Sequence, residues 1–203
     1  MQQIIAQQAL FEDSSAPATW TGSDDWETPD WLAKTLAGRA RKRTLEPAAG
    51  TGQIAQYLPE RSVCVEINSH RTAIGRDRAG HCIWYSGDLL SPAMMGAIGR
   101  FDTIVANPPF SVGMDFIVAC ADLLNPDGLA HFLLPSSFFQ TIGRGMRMHR
   151  LSQNHGLTII AKTELVGRVA YLRNGKRVSG RQRDDAIFTL GFGPAAIDFL
   201  FAE

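Results

Sequence analysis

Short apolar runs alternate with stretches of helical periodicity along most of this chain. The runs at 44–46, 62–67, 82–85, 101–106, 129–134, 157–163 and 186–192 are too short for helices and nearly continuous in apolar character, which predicts strands buried on both faces. Between the first five lie segments that predict helices, among them 53–58, 71–78 and 112–124. The last of these is ended by Asn125-Pro126-Asp127-Gly128. Strand and helix in alternation predict an α/β fold with a doubly wound, mostly parallel sheet. A further helix is predicted at Thr28-Pro29-Asp30, where Thr can cap, Pro suits the first turn and an acid suits the positive helix end. Trp31, Leu32, Thr35 and Leu36 give it a packing face. Near the other end, Asn174-Gly175 stands between extended runs over 172–178 and predicts a β-hairpin with a type I′ turn.

Residues 1–25 are rich in Gln, Ser, Ala and Asp without sustained periodicity, which predicts a flexible arm ahead of one domain spanning 26–203. A chain of 203 residues with 45% apolar and 20% charged residues can bury a core without metals or disulfides. No apolar run approaches the roughly 20 residues that span a bilayer, and residues 1–10 lack a secretory pattern, so a cytoplasmic protein is expected. Cys64, Cys82 and Cys120 are an odd, scattered set in apolar segments, expected to be buried and reduced. The five histidines are scattered too, and no metal site is expected. The net charge is zero, but its distribution is uneven. Six acids and no base precede Lys34, whereas 141–183 carries ten basic residues against Glu164 alone, a pattern suited to a polyanion.

Two motifs carry chemistry. Leu45-Glu46-Pro47-Ala48-Ala49-Gly50-Thr51-Gly52 follows a predicted strand and precedes a predicted helix, so its glycines can bring backbone N–H groups close to a ligand. Glu66, near the end of the next strand, stands where an acid would hold ribose hydroxyls. These residues alone fit a dinucleotide, a related nucleoside cofactor, or a mere tight turn. The second motif is the strand Phe101–Ala106 running into Asn107-Pro108-Pro109-Phe110. Two prolines stop further pairing, which leaves the Asn107 amide and nearby carbonyls at the crevice beyond the strand's carboxyl end. An aromatic amine is a poor nucleophile because its lone pair is delocalised into the ring. The Asn107 amide oxygen and the Pro108 carbonyl can accept its two protons, localise the lone pair and aim it. Phe110 can stack on a flat base drawn out of its helix.

In carrying these motifs the chain resembles the class I S-adenosylmethionine-dependent methyltransferases, and among them the adenine-N6 DNA methyltransferases of bacteria and phages. The resemblance rests on Trp26-Glu27-Thr28-Pro29, Glu46 to Gly52, Glu66, Gly87-Asp88-Leu89-Leu90 and Asn107-Pro108-Pro109-Phe110, in that order. It implies a Rossmann-like domain whose seven-stranded sheet ends in an antiparallel strand. It further implies that Thr28, Glu46, Pro47, Ala49, Gly50 and Gly52 contact the methionine part of S-adenosylmethionine, Glu66 its ribose and Asp88 its adenine. Asn107, Pro108, Pro109 and Phe110 would form the catalytic loop, with Asn107 also near the cofactor. A separate target-recognition domain, which many such enzymes carry, is not expected within these 203 residues. The basic segment must then read the substrate, with Arg173, Lys176, Arg177, Arg181 and Arg183 as candidate contacts.

The expected activity is methyl transfer to the N6 amine of adenine in DNA. RNA adenine or a protein glutamine amide could take the same chemistry, since each presents a planar amino group. The basic hairpin favours a nucleic acid over a protein. A dehydrogenase would share the glycine turn and Glu66 but has no use for Asn107-Pro108-Pro109-Phe110. A non-catalytic nucleic-acid-binding module on the same scaffold is the remaining alternative.

Overall fold

The computed structural model describes residues 26–201 apart from Arg168 and Asn174, and for 177–183 it describes the backbone alone. The expected arm at 1–25 lies outside the described residues. Seven strands form one sheet: β1 (Thr44–Glu46), β2 (Val63–Glu66), β3 (Ile83–Ser86), β4 (Phe101–Ala106), β5 (Leu124–Pro135), β6 (Leu157–Glu164) and, after a separate hairpin, β9 (Asp185–Phe192). Their order is β3-β2-β1-β4-β5-β9-β6. The pairs among β3, β2, β1, β4 and β5 are parallel, and β9 runs antiparallel to both β5 and β6. The chain therefore has the doubly wound sheet with an antiparallel last strand that the sequence implies.

Strand pleating divides the apolar residues between two cores. Val63 and Val65 of β2, Ile104 and Ala106 of β4, and Phe132 and Leu134 of β5 pack on one face. The alternate positions Cys64, Val105 and Leu133 pack on the other. The first face is covered by α3 (Pro92–Ile98), α4 (Gly113–Leu123) and α5 (Ile142–His155), and the second by α1 (Asp30–Ala37) and α2 (Ser69–Arg78). Cys64, Cys82 and Cys120 are buried free thiols.

Three local expectations are revised. First, 53–58 is not a full helix but turns ending in a 3-10 turn at Ala55–Tyr57. Pro59 holds Leu58 extended, with ψ at 156°, and so allows the preceding segment a single turn. Second, Asn125-Pro126-Asp127-Gly128 does not form a loop after α4. It opens β5 as a register irregularity against β4, and the Asn125 amide donates to Asp102 Oδ1 at 2.9 Å. Third, Pro29 rather than Thr28 is the cap residue of α1 and no side chain bonds the helix end. The packing face of α1 is Leu32, Ala33, Leu36 and Ala37, and Trp31 is 53% exposed.

Close packing of α2 on the sheet sets the depth of the loop that follows β1. A Cβ on Gly75 would lie 2.2 Å from the Trp84 ring, and a Cβ on Gly52 would meet the Gly75 backbone at 3.3 Å. The ring cannot retreat easily, because Trp84 Nε1 donates to the Ala79 carbonyl at 3.1 Å. Gly75→Ala is expected to cost about 1–3 kcal/mol, the usual range for overpacking a filled core, measured by urea unfolding. An unchanged midpoint would show that α2 can move away from the sheet at no cost.

Candidate active site

Parallel strands put the loops after β1, β2, β3 and β4 at one edge of the sheet, and each candidate motif falls there. After β1 the chain turns through Gly50 and Gly52, whose φ angles of 57° and 83° lie in the left-handed region that glycine tolerates. Ala49 N–H donates to the Val65 carbonyl at 3.0 Å and Gly52 N–H to the Ala49 carbonyl at 2.9 Å, which folds the turn back onto β2. Glu66, 6% exposed, closes the arrangement. Its Oε2 accepts Gly50 N–H at 2.8 Å and its Oε1 accepts Asn68 N–H at 2.9 Å. One carboxylate thus fixes the glycine turn and the start of α2 together, and lone pairs remain on both oxygens for ligand hydroxyls.

Glu46, at the end of β1, is 2% exposed, and its Oε2 is buried without a hydrogen-bond partner. Burial pushes its carboxyl well above the ordinary carboxylate range, with the negative character of Cys82 and Glu66 adding to the effect and an N–H from Ala55 opposing it. Pro47 and Ala49 are buried beside it. Asp88 is exposed in the loop after β3, where its Oδ1 accepts Leu90 N–H at 2.9 Å and its carbonyl accepts the Ser91 hydroxyl. That local turn sets the start of α3, whose cap is Ser91.

Asn107 follows β4 on the same edge. Its Nδ2 donates to Thr28 Oγ1 at 3.0 Å, which ties up the donor end of the amide and leaves Oδ1 as its acceptor. Thr28 itself is 6% exposed. Pro108 is buried, Pro109 is half-buried, and Phe110 is half-buried against the larger core. The structure therefore brings Thr28, Glu46, Gly50, Gly52, Glu66, Asp88, Asn107 and Phe110 to one side of the sheet.

The basic segment is divided. Arg147 of α5 pairs with Asp115 of α4 at 2.7 Å, and the Arg144 guanidinium lies 4.4 Å from the Phe138 ring centroid, so both serve packing of the helical layer. The hairpin pairs β7 (Val169–Arg173) with β8 (Lys176–Arg183) in a two-stranded sheet apart from the main one. Gly175 has φ of 71°, as the expected turn requires, and Asn174 lies outside the described residues. Arg173 and Lys176 are exposed at the tip, with Arg173 4.9 Å from the Trp26 ring centroid. Arg177, Arg181 and Arg183 belong to β8, and their side chains lie outside the described residues.

Sequence reasoning gave no role to Glu27. Its backbone forms an antiparallel bridge with Leu172 of β7, at 2.9 and 3.1 Å, and its Oε2 accepts Gly175 N–H at 3.0 Å. No local signal marks a contact between residues so far apart in the chain. Arg71 was missed as well. A Cβ on Gly50 would lie 2.8 Å from Arg71 Nη2, so this guanidinium lies across the glycine turn.

The upward shift of the Glu46 carboxyl has a measurable consequence. A carboxyl whose pKa is raised on folding contributes stability below its unfolded value, here about 4.5, and that contribution is lost as pH rises toward the folded value. Wild type should therefore lose stability with rising pH above about 4.5, relative to Glu46→Gln, by up to about 1.4 kcal/mol per pH unit. Parallel profiles of unfolding free energy against pH for the two proteins would show that Glu46 is ionised in the fold.

No protein-family model matches the chain. Two curated relatives do, the tRNA1(Val) (adenine(37)-N6)-methyltransferases of Vibrio vulnificus strains CMCP6 and YJ016, at 27% and 26% identity over 143 residues. The match takes in 53% of this chain and spans 59% of the length of each relative. Among solved structures, TrmN from Thermus thermophilus superposes with a TM-score of 0.52 at 20% identity, over 80% of this chain and 47% of that one. A TehB-like S-adenosylmethionine-dependent methyltransferase from Corynebacterium glutamicum gives 0.54 at 14% identity, over 94% and 95%. The glycopeptide N-methyltransferase MtfA in complex with S-adenosylmethionine gives 0.57 at 16% identity, over 86% and 100%. The chain has the fold of the class I S-adenosylmethionine-dependent methyltransferases.

Proposed function

We propose that the chain transfers a methyl group from S-adenosylmethionine to the exocyclic N6 amine of an adenine in nucleic acid, with RNA as the first candidate substrate. The arrangement of Asn107 carries this proposal. Its amide sits at the carboxyl end of β4 with the donor end engaged by Thr28, so an acceptor is available beside the glycine turn. The cofactor fits the residues present. Gly50 and Gly52 hold the left-handed turn that keeps this loop close to α2 and Arg71, and the orphaned Glu46 Oε2 offers a buried acceptor for a cationic or N–H group.

Bound there, S-adenosylmethionine supplies an electrophilic methyl group on a sulfonium. The protein's own part is to hold and aim the amine. Asn107 Oδ1 and the Pro108 carbonyl accept its two N–H groups, which turns the nitrogen lone pair out of ring conjugation and toward the methyl carbon. Phe110 supplies a ring on which the base can stack. With the cofactor bound, its sulfonium would be the leaving group for methyl transfer to N6, and the proton displaced from N6 would pass to solvent.

Nucleic acid is favoured over a protein amide by the exposed Arg173 and Lys176 at the tip of the basic hairpin. The sequence reading put DNA first. RNA is preferred here because the curated relatives that the chain resembles are tRNA adenine-N6 methyltransferases. The test is to incubate the purified protein with labelled S-adenosylmethionine and separate pools of tRNA, duplex DNA and protein. N6-methyladenine in RNA is the expected product. Label in DNA alone would return the substrate to DNA, and label on glutamine would overturn the nucleic-acid reading.

Two variants report on the parts. Asn107→Ala should abolish transfer while cofactor affinity stays within a few-fold, because the lost acceptor acts on the target amine. Turnover near that of wild type would remove Asn107 from the chemistry. Replacing Arg173 and Lys176 together with alanine should weaken nucleic-acid binding and flatten the plot of log affinity against log salt. The expected change in slope is up to about 0.7 per lost phosphate contact on single strands and about 0.9 on duplex DNA. Parallel lines of equal intercept would mean that the hairpin tip is only a solvated surface.

A further inference from the structure

The hairpin tip and the catalytic loop are joined through two consecutive residues. Gly175 at the tip donates to Glu27 Oε2 at 3.0 Å, and Glu27 is bridged to Leu172 by two backbone hydrogen bonds. The next residue, Thr28, holds the Asn107 amide across 79 positions of sequence. The segment from Trp26 to Thr28 thus touches β7 through the single bridge at Glu27, with Arg173 against the Trp26 ring and Asn107 fastened to Thr28. The base of the hairpin is anchored separately, by the Tyr171 hydroxyl donating to Asp185 Oδ2 at 2.6 Å. One residue of extended chain spans only about 3.3 Å, so displacement of Glu27 reaches Thr28 with little slack.

The contact also has a chemical sense. An amide can turn over and exchange its oxygen for its NH2 at the same site. With its NH2 toward the target amine, Asn107 would oppose donor to donor and lose the acceptor that the transfer needs. In the structure the NH2 donates to Thr28 Oγ1, which fixes the place of the amide and directs Oδ1 away from Thr28. The hydroxyl is buried and plays no part in capping α1, which leaves this bond as the function the structure gives it.

We propose that Thr28 is the positioning residue for Asn107, and that nucleic acid seated on the β7–β8 tip acts through Glu27 to set that position. This inference rests on the activity proposed above. It makes the hairpin part of the control of turnover as well as a surface for binding. A substrate long enough to touch the tip would be methylated with a higher kcat than a short oligonucleotide that reaches only the crevice.

The experiment measures kcat and KM of wild type, Thr28→Val, Thr28→Ser and Glu27→Ala on a long RNA and on a trinucleotide containing adenine, with cofactor affinity by calorimetry. Val matches Thr in shape but lacks the oxygen. Thr28→Val should lower kcat about 10- to 100-fold on both substrates with cofactor affinity within about two-fold, and Thr28→Ser should restore most of it. Should Thr28→Val not fold, Thr28→Ala gives the same reading. Glu27→Ala should keep wild-type kcat on the trinucleotide and lose the gain that the long RNA provides. If Thr28→Val keeps kcat and loses cofactor affinity, Thr28 is a cofactor contact and the positioning role is wrong. If Glu27→Ala raises only KM on long RNA, the hairpin binds without coupling. A wild type that methylates no nucleic acid would overturn the proposed activity and this inference with it, whereas an active wild type with unaffected variants overturns the inference alone.

Discussion

Burial of the central strands on both faces is the constraint on which the rest of this structure depends. Side chains from β2, β1, β4 and β5 point into apolar layers above and below the sheet, so polar groups can meet solvent or a ligand only where the strands end. Glu46, Glu66 and Asn107 each occupy or directly follow such an end. The site is thus a product of strand length. A strand one residue longer or shorter would carry its terminal polar group to the wrong face or the wrong depth, because successive side chains alternate in direction.

Within that edge, hydrogen bonds between loops replace the strand ladder as the source of order. Glu66 grips two backbone amides from different loops. Asn107 is held by a hydroxyl 79 positions earlier in the chain. Glu46 has no such partner for one of its oxygens, which makes it the least satisfied group in a well-satisfied site. An uncharged acid in that position can donate or accept, and the arrival of a cation would favour its ionised form.

The sequence makes the sheet legible because its strands are apolar runs with sharp chemical ends. Phe101–Ala106 is bounded as expected since Asn107-Pro108-Pro109 cannot continue a ladder, and Thr44–Glu46 stops at Pro47. Where a local signal competes with packing, the expectation fails. Asn125-Pro126-Asp127-Gly128 has turn composition, yet the neighbouring β4 recruits it into β5 through Asp102. Thr28 has the chemistry of a helix cap, yet a distant amide claims its hydroxyl. The residues of the site were legible as motifs, whereas their partners were not. Arg71 against Gly50 and Glu27 against Gly175 are contacts between residues far apart in the chain, and no local signal marks their pairing. Choice of substrate lay further out of reach, since the geometry proposed to hold the amine would serve DNA and RNA adenine alike.

The β7–β8 hairpin has its own two-stranded ladder and does not extend the seven-stranded sheet. Val169 and Tyr171 of β7 are buried in the second core, and the strand is further held by the Tyr171 bond to Asp185, the bridge to Glu27, the Arg173–Trp26 contact and the Gly175 contact. The exposed tip beyond them can lengthen, shorten or change sequence without shifting the register of any core strand. Changes at that tip would leave the sheet edge and its loops in place. Divergence between relatives of this chain would then concentrate at the turn between β7 and β8, with the fold left intact.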